Sequence, residues 1–151
     1  KLRTMSTIDT VLNTGQQAIT NVDTSKIFIW GNRFDKAEYT NSTYDAVTLP
    51  AGTLLGRNSS TLEVKPLTSG ASDGSQFPVG ILNETHTVEA GDTATLAYCV
   101  AGDVAKEKVL LQGSDDLDTV VSSKTIGDRI GSDTVGIKLV ATDELTGFDN
   151  Q

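Results

Sequence analysis

The chain has 151 residues, of which 37% are hydrophobic and 21% charged, and it carries a formal net charge of −8. This length predicts one domain with a modest core. The acidic balance argues against direct binding to nucleic acid, because contact with a phosphate backbone relies on clustered Lys and Arg. No run approaches the roughly 20 apolar residues that cross a bilayer, so we expect no membrane partner.

Residues 1–24 form a polar stretch with isolated apolar side chains. Gly15 and the frequent threonines argue against a long helix. We therefore predict an extended arm over residues 1–24, followed by a β domain over residues 25–151. A disordered terminus is the alternative to an arm.

The first strand signal follows this stretch, where residues 26–30 read KIFIW. Gly31-Asn32 has the composition of a hairpin turn, so residues 33–39 are predicted to form the partner strand. Core packing is the favoured role of the aromatic residues here, and a surface platform for carbohydrate or a partner is the alternative. These aromatic residues, which would share one apolar surface in such a hairpin, are Trp30, Phe34 and Tyr39.

Residues 47–111 are the β-rich centre of the chain. Short runs rich in Val, Thr, Leu and Tyr alternate with Gly, Pro and Asp, which is typical of strands joined by compact turns. The strongest strand is predicted at residues 93–101, and Gly102-Asp103 is expected to turn the chain into residues 104–111. Other strands are predicted at residues 46–49, 53–57, 62–65 and 77–82, with a loop at residues 69–76.

No pattern of reactive side chains accompanies these strands. Cys99, the only cysteine, lies in an apolar run and is interpreted as a buried thiol. His86, the only histidine, has no neighbouring His or Cys, so no metal site is predicted. The loop at residues 69–76 lacks the Lys and Ser/Thr that follow the glycines of a P-loop. We therefore expect no catalytic residues, no cofactor and no enzyme activity.

The last third of the chain contains the one predicted helix. Ser114 is a candidate N-cap, and Leu117, Val120 and Val121 follow at helical spacing. Glycines at positions 127 and 131 are expected to interrupt the helix. A strand is predicted at residues 134–141, and a polar tail at residues 143–151.

Three motifs carry a resemblance to a known family. They are LPAGTLLGR at residues 49–57, DGSQFPVGIL at residues 73–82, and the long alternating strand that ends in AGDV at residues 101–104. The C-terminal GIKLVATDELTGFDN is also similar. In these features the chain resembles the head decoration (cement) proteins of tailed bacteriophages, of the lambda-like type.

The resemblance implies a mainly β, β-tulip-like domain, either a sandwich or a partly open barrel, with one short helix and the N-terminal arm. It also implies a homotrimer on the outer surface of the expanded capsid, where the chain would clamp neighbouring major capsid proteins and stabilise the head. The arm would reach the major capsid protein by strand addition, which needs little side-chain specificity. The arm residues assigned to this contact are Thr7, Ile8, Val11, Leu12, Ile19 and Val22.

A second hypothesis places a binding module for a host glycan or receptor on the surface of the virion. It would use the aromatic residues Trp30, Phe34, Tyr39 and Tyr44. This alternative shares the predicted β fold and differs only in the partner.

Overall fold

The structure is a computed structural model that describes residues 26–142. It is mainly β, as the sequence predicted, with the helix α1 at Ile126–Asp133 and a 3₁₀ turn at Lys106–Lys108. The strands in chain order are β1 (Phe28–Thr40), β2 (Val47–Leu49), β3 (Leu54–Arg57), β4 (Val64–Pro66), β5 (Pro78–Leu82), β6 (His86–Val88), β7 (Thr93–Ala105), β8 (Val120–Val121), β9 (Lys124–Thr125) and β10 (Gly136–Val140).

The long strand β7 is the centre of the main sheet. Its neighbours give the order β1-β7-β5-β3-β4, all antiparallel, and β10 pairs with the last five residues of β7 in parallel. The sheet is open, with β1 and β4 at the two ends of this order. Strands β2 and β6 form a separate antiparallel pair, and β8 and β9 form another.

Each face of the main sheet contributes to a buried core of its own. Helix α1 covers one face with Ile126 and Ile130, and the β2-β6 pair covers the other with Leu49 and Val88. Successive residues of a strand point to opposite faces. Neighbours therefore enter different cores, Leu54 and Leu55 in β3, Ile81 and Leu82 in β5, and Cys99 and Tyr98 in β7.

The predicted hairpin at residues 26–39 is wrong, because the structure has one continuous strand there. Gly31 adopts a positive φ of 62°, but the chain continues in the same direction and pairs with β7 on both sides of it. The register shifts between Phe28 and Phe34 mark bulges rather than a turn. Ten paired positions along β7 outweigh the local preference of Gly-Asn for a turn.

The predicted turn at Gly102-Asp103 is also wrong, since β7 continues to Ala105. Gly102 has a φ of 111°, and a Cβ atom there would lie 2.7 Å from the Cα of Asn32. The glycine therefore permits a bulged approach of β1, and the chain changes direction after Ala105.

The helix lies later in the chain than predicted. Ser114 does not cap it; the Thr125 side chain does, accepting a 3.1 Å hydrogen bond from the Asp128 backbone. The carboxylate of Asp115, the residue after Ser114, instead accepts two hydrogen bonds from Ser69, 46 residues away in sequence. Val120 and Val121 form strand β8, so their helical spacing was coincidental.

Arg129 joins α1 to the β8-β9 hairpin. It is 8% exposed, and its guanidinium donates to the carbonyls of Val121 and Ser122 at 2.7 and 2.8 Å. The same group donates to Asp133 at 2.9 Å and lies 4.8 Å from the centre of the Phe77 ring. A buried cation is tolerated here because the described contacts satisfy its donors on several sides.

Asn41 fastens the loops at the end of β1. Its side chain is fully buried and donates to the carbonyls of Asp45, Val88 and Glu89 at 2.8, 2.9 and 3.2 Å. Its side-chain oxygen accepts from the backbone and hydroxyl of Thr43 at 3.0 and 2.7 Å. The Asn41 side chain thus ties the segment after β1 to the segment after β6.

Candidate functional site

Both ends of the described chain meet at one end of β7. The Ala105 backbone donates to the carbonyl of Ile27 at 2.8 Å, and Val140 pairs with Ala105 from the other edge. Thr142 is held there too, because its backbone and hydroxyl donate to the Glu107 carboxylate at 2.9 and 2.8 Å. The first and last residues that the structure describes therefore lie at the same end of β7, which we call the terminal end of the sheet.

An exposed tryptophan lies at the terminal end. Trp30 pairs with Asp103 of β7, and Asp103 pairs with Lys138 of β10, so the three residues form a row across the sheet. The next row, Phe28, Val104 and Leu139, packs into the α1 core. By alternation along β7 and β10, Asp103 and Lys138 point away from the α1 core, and Trp30, which pairs with Asp103, is 75% exposed. We call the residues Trp30, Asp103 and Lys138 the Trp30 face.

The aromatic residues singled out in the sequence do not form one surface. Tyr39 is 8% exposed and lies in the core on the β2-β6 side, where burial raises the pKa of its hydroxyl. Its assignment to a surface patch is wrong, because it points inward from a regular stretch of β1. Phe34 pairs with Cys99 and meets the ring of Phe28 edge to face at 5.3 Å, which places it on the α1 side. Tyr44 is fully exposed in the following loop.

The outer edge of β1 has features that discourage pairing with a strand of another molecule. Residues 33–36 and Glu38 are exposed, and four of these five are charged. The Asp35 carboxylate accepts a 2.8 Å hydrogen bond from the backbone of Lys36. Charges and a backbone donor that is already bonded discourage edge-to-edge pairing of strands.

The loop at residues 69–76 is organised around a carboxylate. Asp73 accepts from Lys65 at 2.5 Å and from the hydroxyl and backbone of Ser75 at 2.6 and 3.1 Å. The hydrogen bond from Lys65 is the main cause of the strongly lowered pKa of Asp73. The carboxylate, bonded to Lys65 and Ser75, therefore fixes the shape of this loop.

We expect Asp73→Asn to destabilise the protein in a pH-dependent way. A carboxyl group whose pKa is lowered by folding stabilises the fold above its unfolded pKa of about 3.9, and this contribution is lost as the pH falls towards the folded pKa. The variant should therefore unfold more easily than the parent at pH 7, and the difference should shrink below about pH 4. Urea unfolding between pH 2 and 7 measures this, and a pH-independent difference would contradict it.

The reactive side chains remain apart. Cys99 is buried, and burial raises the pKa of its thiol. The imidazole of His86 lies 3.5 Å from the Glu84 carboxylate. Among residues 26–142, no three His, Cys, Asp or Glu side chains are grouped so as to hold a metal ion. None of the helices in the described part of the chain is long and apolar enough to span a bilayer.

Comparison with known families decides the class of the protein. The family described as bacteriophage lambda head decoration protein D matches residues 36–122, more than half of the chain. The chain belongs to this family. No individually curated protein matches it. The decoration family accounts for the sheet from mid-β1 to β8, whereas the first part of β1, α1 and β10 lie outside the matched residues.

The sequence did not reveal the Trp30 face as a unit. The sequence marks Trp30 as an aromatic residue and Gly102-Asp103 as a turn, but nothing in it connects Asp103 or Lys138 with Trp30. Their meeting depends on the parallel pairing of β10 with β7, which joins residues about 35 positions apart. The predicted arm residues Thr7, Ile8, Val11, Leu12, Ile19 and Val22 lie outside the described residues.

Proposed function

We propose that this head decoration protein binds the outer surface of the expanded capsid as a homotrimer and clamps neighbouring major capsid proteins. Residues 1–24 are the attaching arm in this proposal, with contacts from Thr7, Ile8, Val11, Leu12, Ile19 and Val22. The β domain holds the trimer together and positions the arms. A protein that binds only the expanded lattice stabilises that lattice by mass action.

The observation that supports this proposal, beside the family, is how the chain joins the sheet. Residue 26 continues directly into β1, which is paired with β7 at ten positions. An arm that enters such a strand is anchored firmly to the domain. The arm can add a strand to a neighbouring protein through backbone hydrogen bonds, so scattered apolar residues suffice.

The glycan-binding alternative receives less support. Flat aromatic platforms need several rings on one surface, but Tyr39 is in the core, and Phe34 packs edge to face against Phe28 on the α1 side. The acidic net charge of −8 is compatible with either partner, since it mainly keeps free copies apart.

Deletion of residues 1–24 tests the arm. We expect the truncated chain to fold but to lose binding to expanded heads by at least about 100-fold, because the strand-adding segment is gone. Binding is measured by co-sedimentation with undecorated expanded heads over a range of protein concentrations.

Two controls accompany this deletion. Thermal unfolding of the truncated chain checks that the β domain is intact, and light scattering reports its oligomeric state. Undiminished binding by the folded, truncated chain would overturn the arm assignment. A monomeric mass for the full chain, both free and released from heads, would contradict the trimer.

A further inference from the structure

At the terminal end of the sheet, a large apolar side chain is exposed close to the segment proposed to bind the capsid. Trp30 is four residues from Lys26, the first residue that the structure describes and one that closely follows the proposed arm. A strand rises about 3.3 Å per residue, so Trp30 lies within about 13 Å of Lys26. Whatever protein holds the arm is therefore brought next to Trp30.

We propose that the Trp30 face is a second contact with the major capsid protein, with the indole as its apolar anchor. This inference rests on the proposed capsid-binding function and adds a contact that the arm alone does not supply. Tryptophan is among the residues that most often dominate binding energy, because it buries a large area and loses little conformational freedom.

The neighbours of the indole fit this role. Asp103, beside Trp30 in the row, is half-buried, and Lys138, one strand farther, is exposed, so two opposite charges lie next to the ring on one side. An apolar anchor with polar neighbours is the usual composition of a binding hot spot. The two charges are expected to orient the partner, whereas the indole supplies most of the affinity.

Most of the Trp30 face lies outside the part of the chain that matches the decoration family. Trp30 and Lys138 fall outside the matched residues 36–122, and Asp103 falls inside them. Trp30 and Lys138 are far apart in sequence, but both pair with Asp103 because β1 and β10 lie on the two edges of β7 there. Segments on both sides of the matched residues thus contribute to one surface.

Contact through side chains fits this surface better than pairing of strand edges. The register of β1 shifts three times between Phe28 and Phe34, which interrupts the regular ladder that an added strand would need. Farther along β1, the Asp35 carboxylate already bonds the Lys36 backbone. A second copy is therefore a poor candidate for edge pairing here, and a protein surface with a pocket for one indole is the better partner.

The first test compares Trp30→Ala with Tyr44→Ala in the full chain. Both residues are exposed aromatic side chains, but Tyr44 lies in the loop beyond the opposite end of β1. Binding to undecorated expanded heads is measured by co-sedimentation. Trp30→Ala should weaken binding by about 30-fold or more, as loss of a hot spot does, and Tyr44→Ala should change it by less than about twofold.

A second measurement needs no loss of the indole. Trp30 is the only tryptophan in the chain, so replacing it biosynthetically with 5-hydroxytryptophan gives a probe that is excited separately from the capsid. Acrylamide should quench this probe strongly in the free protein, where the side chain is exposed, and much less on decorated heads. Equal quenching in both states would overturn the proposed contact.

The outcomes separate this inference from the proposed function. If the unmodified chain does not bind expanded heads, the capsid-binding function itself fails. If it binds and Trp30→Ala, with an unchanged unfolding temperature, binds equally well, only the Trp30 contact fails. Equal losses in Trp30→Ala and Tyr44→Ala would also overturn it, because they would show no preference for this face.

Discussion

Asn41→Asp should destabilise the protein by about 3–5 kcal/mol at pH 7, although the two side chains have nearly the same shape. The amide nitrogen of Asn41 faces three carbonyl oxygens, from Asp45, Val88 and Glu89, at 2.8 to 3.2 Å. In the variant a carboxylate oxygen would face them instead. It would be buried without a donor on that side, which costs more than a lost hydrogen bond.

The effect of Asn41→Asp should also depend on pH. Burial beside carbonyl oxygens favours the neutral acid, so the folded pKa of the new carboxyl would lie above its unfolded value. The protonated acid is then better tolerated, and the loss of stability should be smaller at pH 4 than at pH 7. Urea unfolding at both values measures it.

Asn83→Asp is the matched control for Asn41→Asp. Asn83 follows β5 and is partly exposed, and the same change of charge there should cost less than about 1 kcal/mol. An Asn41→Asp variant as stable as Asn83→Asp would show that the three carbonyl contacts do not fasten the loops. The expected consequence of the larger loss is loosening of the chain around residues 41–46 and 88–92.

Gly56→Ala should cost at least about 3 kcal/mol, since the structure has no space for a methyl group. A Cβ atom at Gly56 would lie 1.9 Å from the carbonyl oxygen of Ser75 and 2.6 Å from its carbonyl carbon. Both are backbone atoms of a loop fixed by Asp73, and they cannot swing away as a flexible side chain can. Relief would require β3 and this loop to separate.

Gly131→Ala is the control for Gly56→Ala and should change stability in the opposite direction. Gly131 is exposed inside α1, and a Cβ atom there would meet nothing within 4 Å. Alanine favours a helix over glycine by about 1 kcal/mol, so this variant should be more stable. Thermal unfolding of the two variants measures both signs, and a Gly56→Ala variant that keeps the parent's unfolding temperature would refute the predicted clash.

The strands of the β-rich centre could be predicted because local composition determines them. Alternation located β7, and Pro and Gly marked the turns around β3 and β5. These features depend on neighbours a few residues away or on strands with strong patterns of their own.

The features that were missed depend on distant partners. Gly31-Asn32 has the composition of a turn, but residues on both sides of it pair with β7, which keeps β1 a single strand. Ser114 and Thr125 are both plausible helix caps. In the structure, Asp115 next to Ser114 is bonded to Ser69 of another loop, and Thr125 caps the helix. The composition of residues 136–140 does not indicate that this strand pairs in parallel with β7. Local composition therefore predicted the positions of the strands better than it predicted which strands pair with each other.

The ladder between β1 and β7 has a mechanical consequence for a protein anchored through its first residues. Hydrogen bonds in an antiparallel pair lie perpendicular to the strands. A pull along β1 from its first residue, with the rest of the domain held back, would load the bonds of all ten paired positions in shear at once. A pull perpendicular to β1 would instead peel it from β7 and break these hydrogen bonds one after another at a lower force. In the proposed clamp, outward pressure on the head is thus resisted by the longest ladder in the sheet.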